Sequence, residues 1–160
     1  MKILALHVVL YQPEIPANTG NIARTCAATG TVLHLIRPLG FSSEDKRLKR
    51  AGLDYWEFVN IVYHDSLEDF YTDNEGGEFF YLTKHGSTPH TAIDYSQPEK
   101  DYYFIFGKEK SGLPEELLTR NKDRTLRVPM NDTVQSLNLS NTAAILVYEA
   151  LRQRDYPNLF

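Results

Sequence analysis

Four stretches of the chain hold side chains whose types and spacing suit chemistry. Gly107-Lys108-Glu109-Lys110-Ser111-Gly112-Leu113-Pro114 sets a carboxylate in a turn between two glycines. Glycine admits positive φ or close approach of backbone to a ligand. Glu109 is therefore either a placed acid or a solvent-exposed turn residue. Asn131 to Asn141 is a polar loop containing Ser136, Asn138, Ser140 and Asn141, ahead of an apolar-periodic stretch. Any of the four can cap a helix start. One helix needs only one or two caps, so the surplus suits a loop shaped around a ligand, or plain solvation. Lys46, Arg47, Lys49 and Arg50 place four cations in five positions. Such a run is a solvated helix face or a phosphate-contacting patch. The fourth stretch, Asn18-Thr19-Gly20-Asn21, joins the first strand to the first helix.

Several chemistries are excluded. No G-x-G-x-x-G follows the first strand, and no G-x-x-x-x-G-K-[ST] is present. There is no G-x-S-x-G nucleophile elbow. The single Cys, Cys26, rules out an internal disulfide and fits a reduced, cytoplasmic setting. Among small residues in a helix it reads as a small buried hydrophobe rather than a catalytic thiol. The five His show no metal-ligand spacing, so no metal is expected. No apolar run approaches the ~20 residues of a membrane span. The N-terminal apolar run has one Lys and no small-residue cleavage site, and reads as a first strand rather than a signal peptide. A net charge of −4 excludes a protein coated in basic charge but leaves room for a nucleic-acid site on one face.

The elements that must position these residues follow from periodicity. His7 to Tyr11, with Ile3 to Leu6 before it, reads as a buried strand ended by Pro13 and Pro16. A helix over Ile22 to Thr29 closes at Gly30, and Val32 to Ile36 is the second strand. The chain thus opens β-α-β, which predicts a parallel sheet with helices on both faces. Ser42 to Asp45 starts a helix carrying the four cations outward, with Leu48, Ala51 and Leu53 packing inward. Trp56 to Tyr63 reads as a short strand, and Ser66 caps a helix to Tyr71. Phe79 to Thr83 and Tyr102 to Phe106 are strands, and Pro114 opens the helix Glu115 to Leu118. Leu126 to Val128 is the last strand, and Leu139 to Arg154 the last helix. Nothing divides the chain, so residues 1–160 read as one minimal domain without an extension. Ligands sit outside the carboxyl ends of strands in parallel sheets. The loops after Tyr11, Leu82, Phe106 and Val128 are the expected site.

Asn18-x-Gly20-Asn21-Ile22-x-Arg24, Phe106-Gly-x-Glu-x-x-Gly-Leu-Pro114, and Arg127-Val-Pro-Met130 with Ser136-Leu-Asn138-Leu-Ser140 occur in that order. In this the sequence resembles the SPOUT superfamily of RNA methyltransferases, over nearly its whole length. Tyr11-x-Pro-Glu-Ile-Pro16, Asp45-Lys-Arg-Leu-x-Arg50-Ala-Gly-Leu-Asp-Tyr55 and Val147-Tyr-Glu-Ala150 are similar to the small members that methylate the ribose 2′-OH of tRNA nucleotide 34, a cytidine or modified uridine. The resemblance implies an α/β knot, with the C-terminal helix threaded through a loop as a deep trefoil. It implies an obligate homodimer whose sites are completed by the partner chain, and an anticodon stem-loop as target. It implies S-adenosylmethionine bound by Leu82, Thr83, Gly107, Val128, Met130, Ser136 and Leu137, with Leu126 and Met130 as an apolar wall. Competing expectations are methylation of another RNA, such as ribosomal RNA, and a module that binds without catalysis.

The resemblance also makes Arg24, Glu109, Ser136 and Asn138 the catalytic set, with Arg24 joining Lys46, Arg47, Lys49 and Arg50 on the RNA. Arg24 resembles an essential arginine that some proposals make the general base. Keeping it neutral near pH 7 would cost about 8 kcal/mol, so a phosphate clamp and stabiliser of alkoxide charge is the better reading. Whether Glu109, Asn138 or water takes the 2′-OH proton stays open. In one place the chain departs from the pattern. Lys110-Ser111 stands where a second arginine usually precedes the last glycine, which puts any bidentate guanidinium role there in doubt.

Overall fold

The computed structural model describes residues 6–42 and 44–160. Seven strands form one sheet in the order β3-β2-β1-β6-β4-β7-β5, every neighbouring pair parallel. They are β1 Leu6–Tyr11, β2 Val32–Ile36, β3 Ile61–His64, β4 Glu78–Leu82, β5 Thr88–Pro89, β6 Tyr102–Phe106 and β7 Thr125–Arg127. The expected strand over Ile3 to Ala5 lies outside the described residues. Helices cover both faces, as the opening β-α-β pattern requires. α1 (Pro16–Thr29) and α6 (Leu139–Gln153) pack on one core with Val8, Leu10, Leu33, Leu35, Phe104 and Phe106. α4 (Leu67–Asp73) and α5 (Glu115–Arg120) pack on the other with Val9, Ile36, Tyr103 and Ile105. Successive strand residues point to opposite faces, so a strand buried on both reads as an unbroken apolar run. That is why β1 and β6 were legible as HVVLY and YYFIF.

Three elements differ from the sequence expectation. α1 begins at Pro16, not at Ile22, so Asn18 to Asn21 lie inside the helix. Proline at the first position presets the helical φ, and Asn18, Thr19 and Gly20 are buried there. The cation-bearing segment is a short α2 (Lys46–Leu48), a π-helical turn (Lys49–Leu53) and α3 (Asp54–Trp56). Asp45 caps it by accepting from the Arg47 amide at 2.8 Å; Ser43 lies outside the described residues. Leu48 is buried and Ala51 half-buried, as expected, while the Leu53 side chain is not described. Trp56 is therefore helical, and only Ile61–His64 of the expected strand forms.

The sheet also assembles a chain of imidazoles that the sequence did not announce. His7, His34 and His64 lie on adjacent strands β1, β2 and β3. His7 Nδ1 is 2.9 Å from His34 Nε2, and His34 Nδ1 is 2.9 Å from His64 Nε2. Asp101 sits 3.2 Å from His7 Nε2 at one end, and Asp73 3.6 Å from His64 Nδ1 at the other. Burial, then the neighbouring His7 and His64, pushes the pKa of His34 down to about 3. Burial of Cys26 pushes its thiol up to about 12, in keeping with a packing role. Among the described residues no group of three His, Cys, Asp or Glu is arranged to hold a metal, and no helix is long and apolar enough to cross a membrane.

Candidate active site

The carboxyl ends of β4, β6 and β7 open into a cleft of about 640 Å³. Three of the four expected loops build it: 83–85 after β4, 107–113 after β6, and 130–138 after β7. The loop after β1 contributes only Ile15. Leu82, Thr83, Gly107, Val128, Met130, Ser136 and Leu137 all line this cleft, as do Glu109 and Asn138. Leu126 does not. It points into the core, fully buried, so Met130 and Val128 supply the apolar wall instead.

The two glycines act in the two ways open to them. Gly112 takes a left-handed φ of 72°. Gly107 instead allows close approach: a Cβ there would lie 2.1 Å from the Gly112 carbonyl carbon, so no larger residue fits without moving backbone. Lys108 and Gly112 exchange backbone hydrogen bonds across the turn (3.2 and 2.9 Å). This tight loop projects Glu109 back toward α1. Its Oε2 accepts from the Glu14 amide at 2.8 Å and its Oε1 from the Ile15 amide at 3.3 Å. The Lys110 amide in turn donates to Glu14 Oε1 at 3.3 Å. Glu109 thus joins the middle loop to the approach of α1, where a carboxylate also suits the positive end of the helix dipole.

Asn138 is the cap that the polar loop supplies. Its Oδ1 accepts from the Ser140 and Asn141 amides (2.9 and 3.3 Å), and its Nδ2 donates to Asn18 Oδ1 at 3.1 Å. One side chain therefore starts α6 and ties it to α1. Asn18, in the sequence only one letter of a motif, is by its burial and this bond part of the cleft wall. Lys84, His85, Lys108 and Lys110 also line the cleft. Sequence reasoning left out Lys84, His85 and Lys108, although the first two directly follow a strand end; it noted Lys110 only as part of the departure from the middle motif. Among the described lining residues Glu109 is the one acid, so the rim is electropositive and suited to a carboxylate or phosphate.

Arg24 is not brought to this cleft. It is exposed on α1, six residues past Asn18, a rise of about 9 Å, and its guanidinium lies 5.0 Å from the Tyr55 ring centroid. That contact joins it to the basic segment. Lys46, Arg47, Lys49 and Arg50 are all exposed there. Arg47 pairs with Asp45 and Lys49 with Glu44, each at 3.2 Å. Lys46 and Arg50 carry no ion pair among the described residues.

Known proteins resemble this chain throughout. A Bacillus subtilis protein is 69% identical over 99% of both chains; its name assigns it tRNA (cytidine(34)-2′-O)-methyltransferase activity provisionally. An Escherichia coli protein, 45% identical over 95% of this chain and 96% of its own, is named tRNA (cytidine(34)-2′-O)-methyltransferase. A structure described as giving insight into 2-OH methylation of C/U34 on tRNA superposes with a TM-score of 0.86, at 46% identity, covering 94% of this chain and 96% of that one. AviRb from Streptomyces viridochromogenes, a SpoU methyltransferase in complex with AdoMet, superposes with a TM-score of 0.80 at 26% identity, over 97% of this chain and 62% of its own. The model of one family, the SpoU rRNA Methylase family, matches residues 5–148, and the chain belongs to that family.

Proposed function

We propose that this chain transfers a methyl group from S-adenosylmethionine to the ribose 2′-OH of tRNA nucleotide 34, as a homodimer in the cytoplasm. The observation that carries the reading is the convergence on one cleft of the seven residues expected to hold the donor. The donor set fits. A cleft of about 640 Å³ lies within the usual range for a small-molecule site. Its wall combines Val128, Met130 and Leu137 with strand-end backbone and the Ser136 hydroxyl, which matches a ligand with an aromatic base, a ribose and an amino-acid tail. When bound, S-adenosylmethionine supplies an electrophilic methyl group on a sulfonium.

The rest is positioning, which carries much of the catalysis of an in-line displacement. Leu82, Gly107, Val128 and Leu137 would hold the base and ribose edges by backbone groups, with Thr83 beside them on the lining. Ser136 would hold the amino-acid end, with Lys84 and Lys108 elsewhere on the cleft lining adding positive charge. Glu109 is read as a positioning residue rather than the proton acceptor: both its oxygens accept backbone N–H bonds, which turn the carboxylate toward Glu14 and Ile15 and hold the loop against α1. The Asn138 amide has no basicity to offer and is spent on α6 and Asn18. The 2′-OH proton therefore leaves to water, and a guanidinium stabilises the developing alkoxide.

That guanidinium, Arg24, serves the cleft of the second copy. In its own chain it lies out along α1, beyond the cleft. Ile15 near the start of α1 and Ile145 and Tyr148 on α6 are exposed apolar residues suited to a dimer face. The trefoil knot belongs to the same reading. The chain leaves β7, beyond β4, yet α6 returns to pack on β1, β6 and α1, a path that threading through the loops around the cleft accounts for.

Methyl incorporation into total tRNA with nuclease mapping tests the reaction; label in ribosomal RNA and not in tRNA would refute the substrate. Mixing Arg24→Ala with Ser136→Ala chains tests the shared site. Random exchange should restore about a quarter of wild-type activity, since one site in each mixed dimer regains both residues. Unrestored activity in demonstrated mixed dimers would return Arg24 to its own cleft.

A further inference from the structure

A second hollow, of about 590 Å³, lies on the far side of the turn that Glu109 holds. Phe41, Trp56 and Tyr63 form its walls, Leu39 and Leu48 its floor, and Arg37 stands at its edge, 4.8 Å from the Tyr63 ring centroid. It adjoins the cleft through one short piece of backbone. Gly40, next to Phe41, donates to the Pro13 carbonyl at 2.9 Å, and a Cβ on it would sit 2.9 Å from Glu14 Cα. Glu14 and Ile15 are the residues whose amides Glu109 accepts, and Ile15 lines the cleft. The hollow and the cleft thus flank the same turn.

Its chemistry is unusual for a purely structural hollow. Three aromatic side chains remain partly exposed around it. The helix that gives the floor through Leu48 turns Lys46, Arg47 and Lys49 outward, with Arg50 following, and Lys46 and Arg50 are unpaired among the described residues. Arg37 at the edge pairs with Asp65 at 3.0 Å, but aromatic faces with unpaired cations on the same segment as the Leu48 floor suit a flat ring attached to a phosphate. Bases splayed out of single-stranded RNA loops are bound in this way, stacked on aromatic or guanidinium planes. An uncharged apolar partner would fill the walls and leave the cations without use.

We propose that this hollow receives one unstacked nucleobase of the RNA, from a nucleotide flanking the one methylated, while Lys46 and Arg50 contact its phosphates. The proposal rests on the RNA methyltransferase reading. It gives the enzyme a second point of recognition, so that the target ribose is fixed by its neighbour as well as by the cleft.

Trp56 is the only tryptophan in the chain, so it reports directly on the hollow. The experiment follows Trp emission while an anticodon stem-loop RNA is titrated in, with filter binding on the same samples. It is repeated with stem-loops made abasic at each nucleotide flanking the methylated one. Saturating quenching that follows the binding curve is expected, and its loss at one abasic position. Phe41→Leu should raise the KM for the stem-loop about tenfold and keep kcat, because a stacking contact holds the RNA and not the reacting atoms. RNA that binds without changing Trp emission would overturn the proposal. So would quenching that survives every abasic substitution, or an unchanged KM. Emission that depends on protein concentration without RNA would overturn it too, by giving the hollow to a second copy of the chain. No binding of RNA in the filter assay would instead refute the methyltransferase reading, and this proposal with it.

Discussion

Replacing Glu109 with Gln separates the two roles a carboxylate can have at this place. The 2.8 Å bond from the Glu14 amide is charge-assisted, and the 3.3 Å bond from the Ile15 amide is weaker. A hydrogen bond to a charged group is worth about 1.5–3 kcal/mol, and a carboxylate near a helix N-terminus adds roughly 0.3–1 kcal/mol. Gln keeps one oxygen for the shorter bond but turns an NH₂ toward the other amide. It also removes the charge. Part of the site is open to solvent, so the lower ends of those ranges apply. The expected loss is about 1–2 kcal/mol, or roughly 3–6 °C in Tm for a domain of this size. Activity should fall less than tenfold, chiefly through a raised KM for S-adenosylmethionine, since the Gly107 loop and α1 are held less firmly. A general base removed would behave differently, costing about 10²–10⁴ in rate with little change in Tm. Thermal melts and single-turnover methyl incorporation on the same preparation decide the matter. A hundredfold loss in the chemical step with an unchanged Tm would refute the positioning role.

Three further outcomes follow from the same geometry. Asn138→Asp keeps an N-cap for α6 but turns an oxygen toward Asn18 Oδ1, whereas Asn138→Ala loses the cap as well, about 1 kcal/mol; the Asp variant should melt higher than the Ala variant while both bind S-adenosylmethionine more weakly than wild type in calorimetry. Changing Lys46, Arg47, Lys49 and Arg50 together to Ala should weaken tRNA binding and lower the slope of log K against log salt by about 1–3; an unchanged slope would reject the patch. The folded pKa of His34, about 3, lies below the 6.5 of an unperturbed imidazole. The unfolded chain therefore takes up the extra proton, and stability present above pH 6.5 is lost as pH falls toward 3. At pH 4.5 the loss from this group is on the order of 2–3 kcal/mol, so urea melts of His34→Gln should depend less on pH between 7 and 4.5 than those of the wild type.

What was legible in the sequence was local, and what was not was assembled across the sheet. The loops that build the cleft could be named because apolar strand runs end abruptly at Thr83, Gly107 and Pro129, and the open end of a parallel sheet is where ligands bind; the individual residues expected to hold the donor came from the family resemblance. The start of α1 was misplaced because Gly20 and two asparagines look like a turn. The carboxylate that fixes the approach to that helix comes from position 109, nearly a hundred residues away. No local pattern carries such a contact. The imidazole chain is similar: His7, His34 and His64 have no ligand spacing, and only the order β3-β2-β1 brings them together.

Arg24 marks the other limit. Its motif places it beside Asn18 and Asn21, and a helix does keep it near them. But six residues of helix carry it past the cleft and onto Tyr55. Motif order therefore proposes the members of a site without saying that one chain holds them together. The cleft proposed for the donor is built within the chain, from strand ends already in register. Arg24 with the basic segment, proposed for the acceptor side, lies on a different part of the surface and faces outward. A reaction that needs both in line is best met by two copies arranged so that each α1 presents its arginine to the other's cleft. On the proposed reading, dimerisation would belong to the chemistry of this protein and not only to its stability, and the mixed-dimer assay of Arg24→Ala with Ser136→Ala decides it.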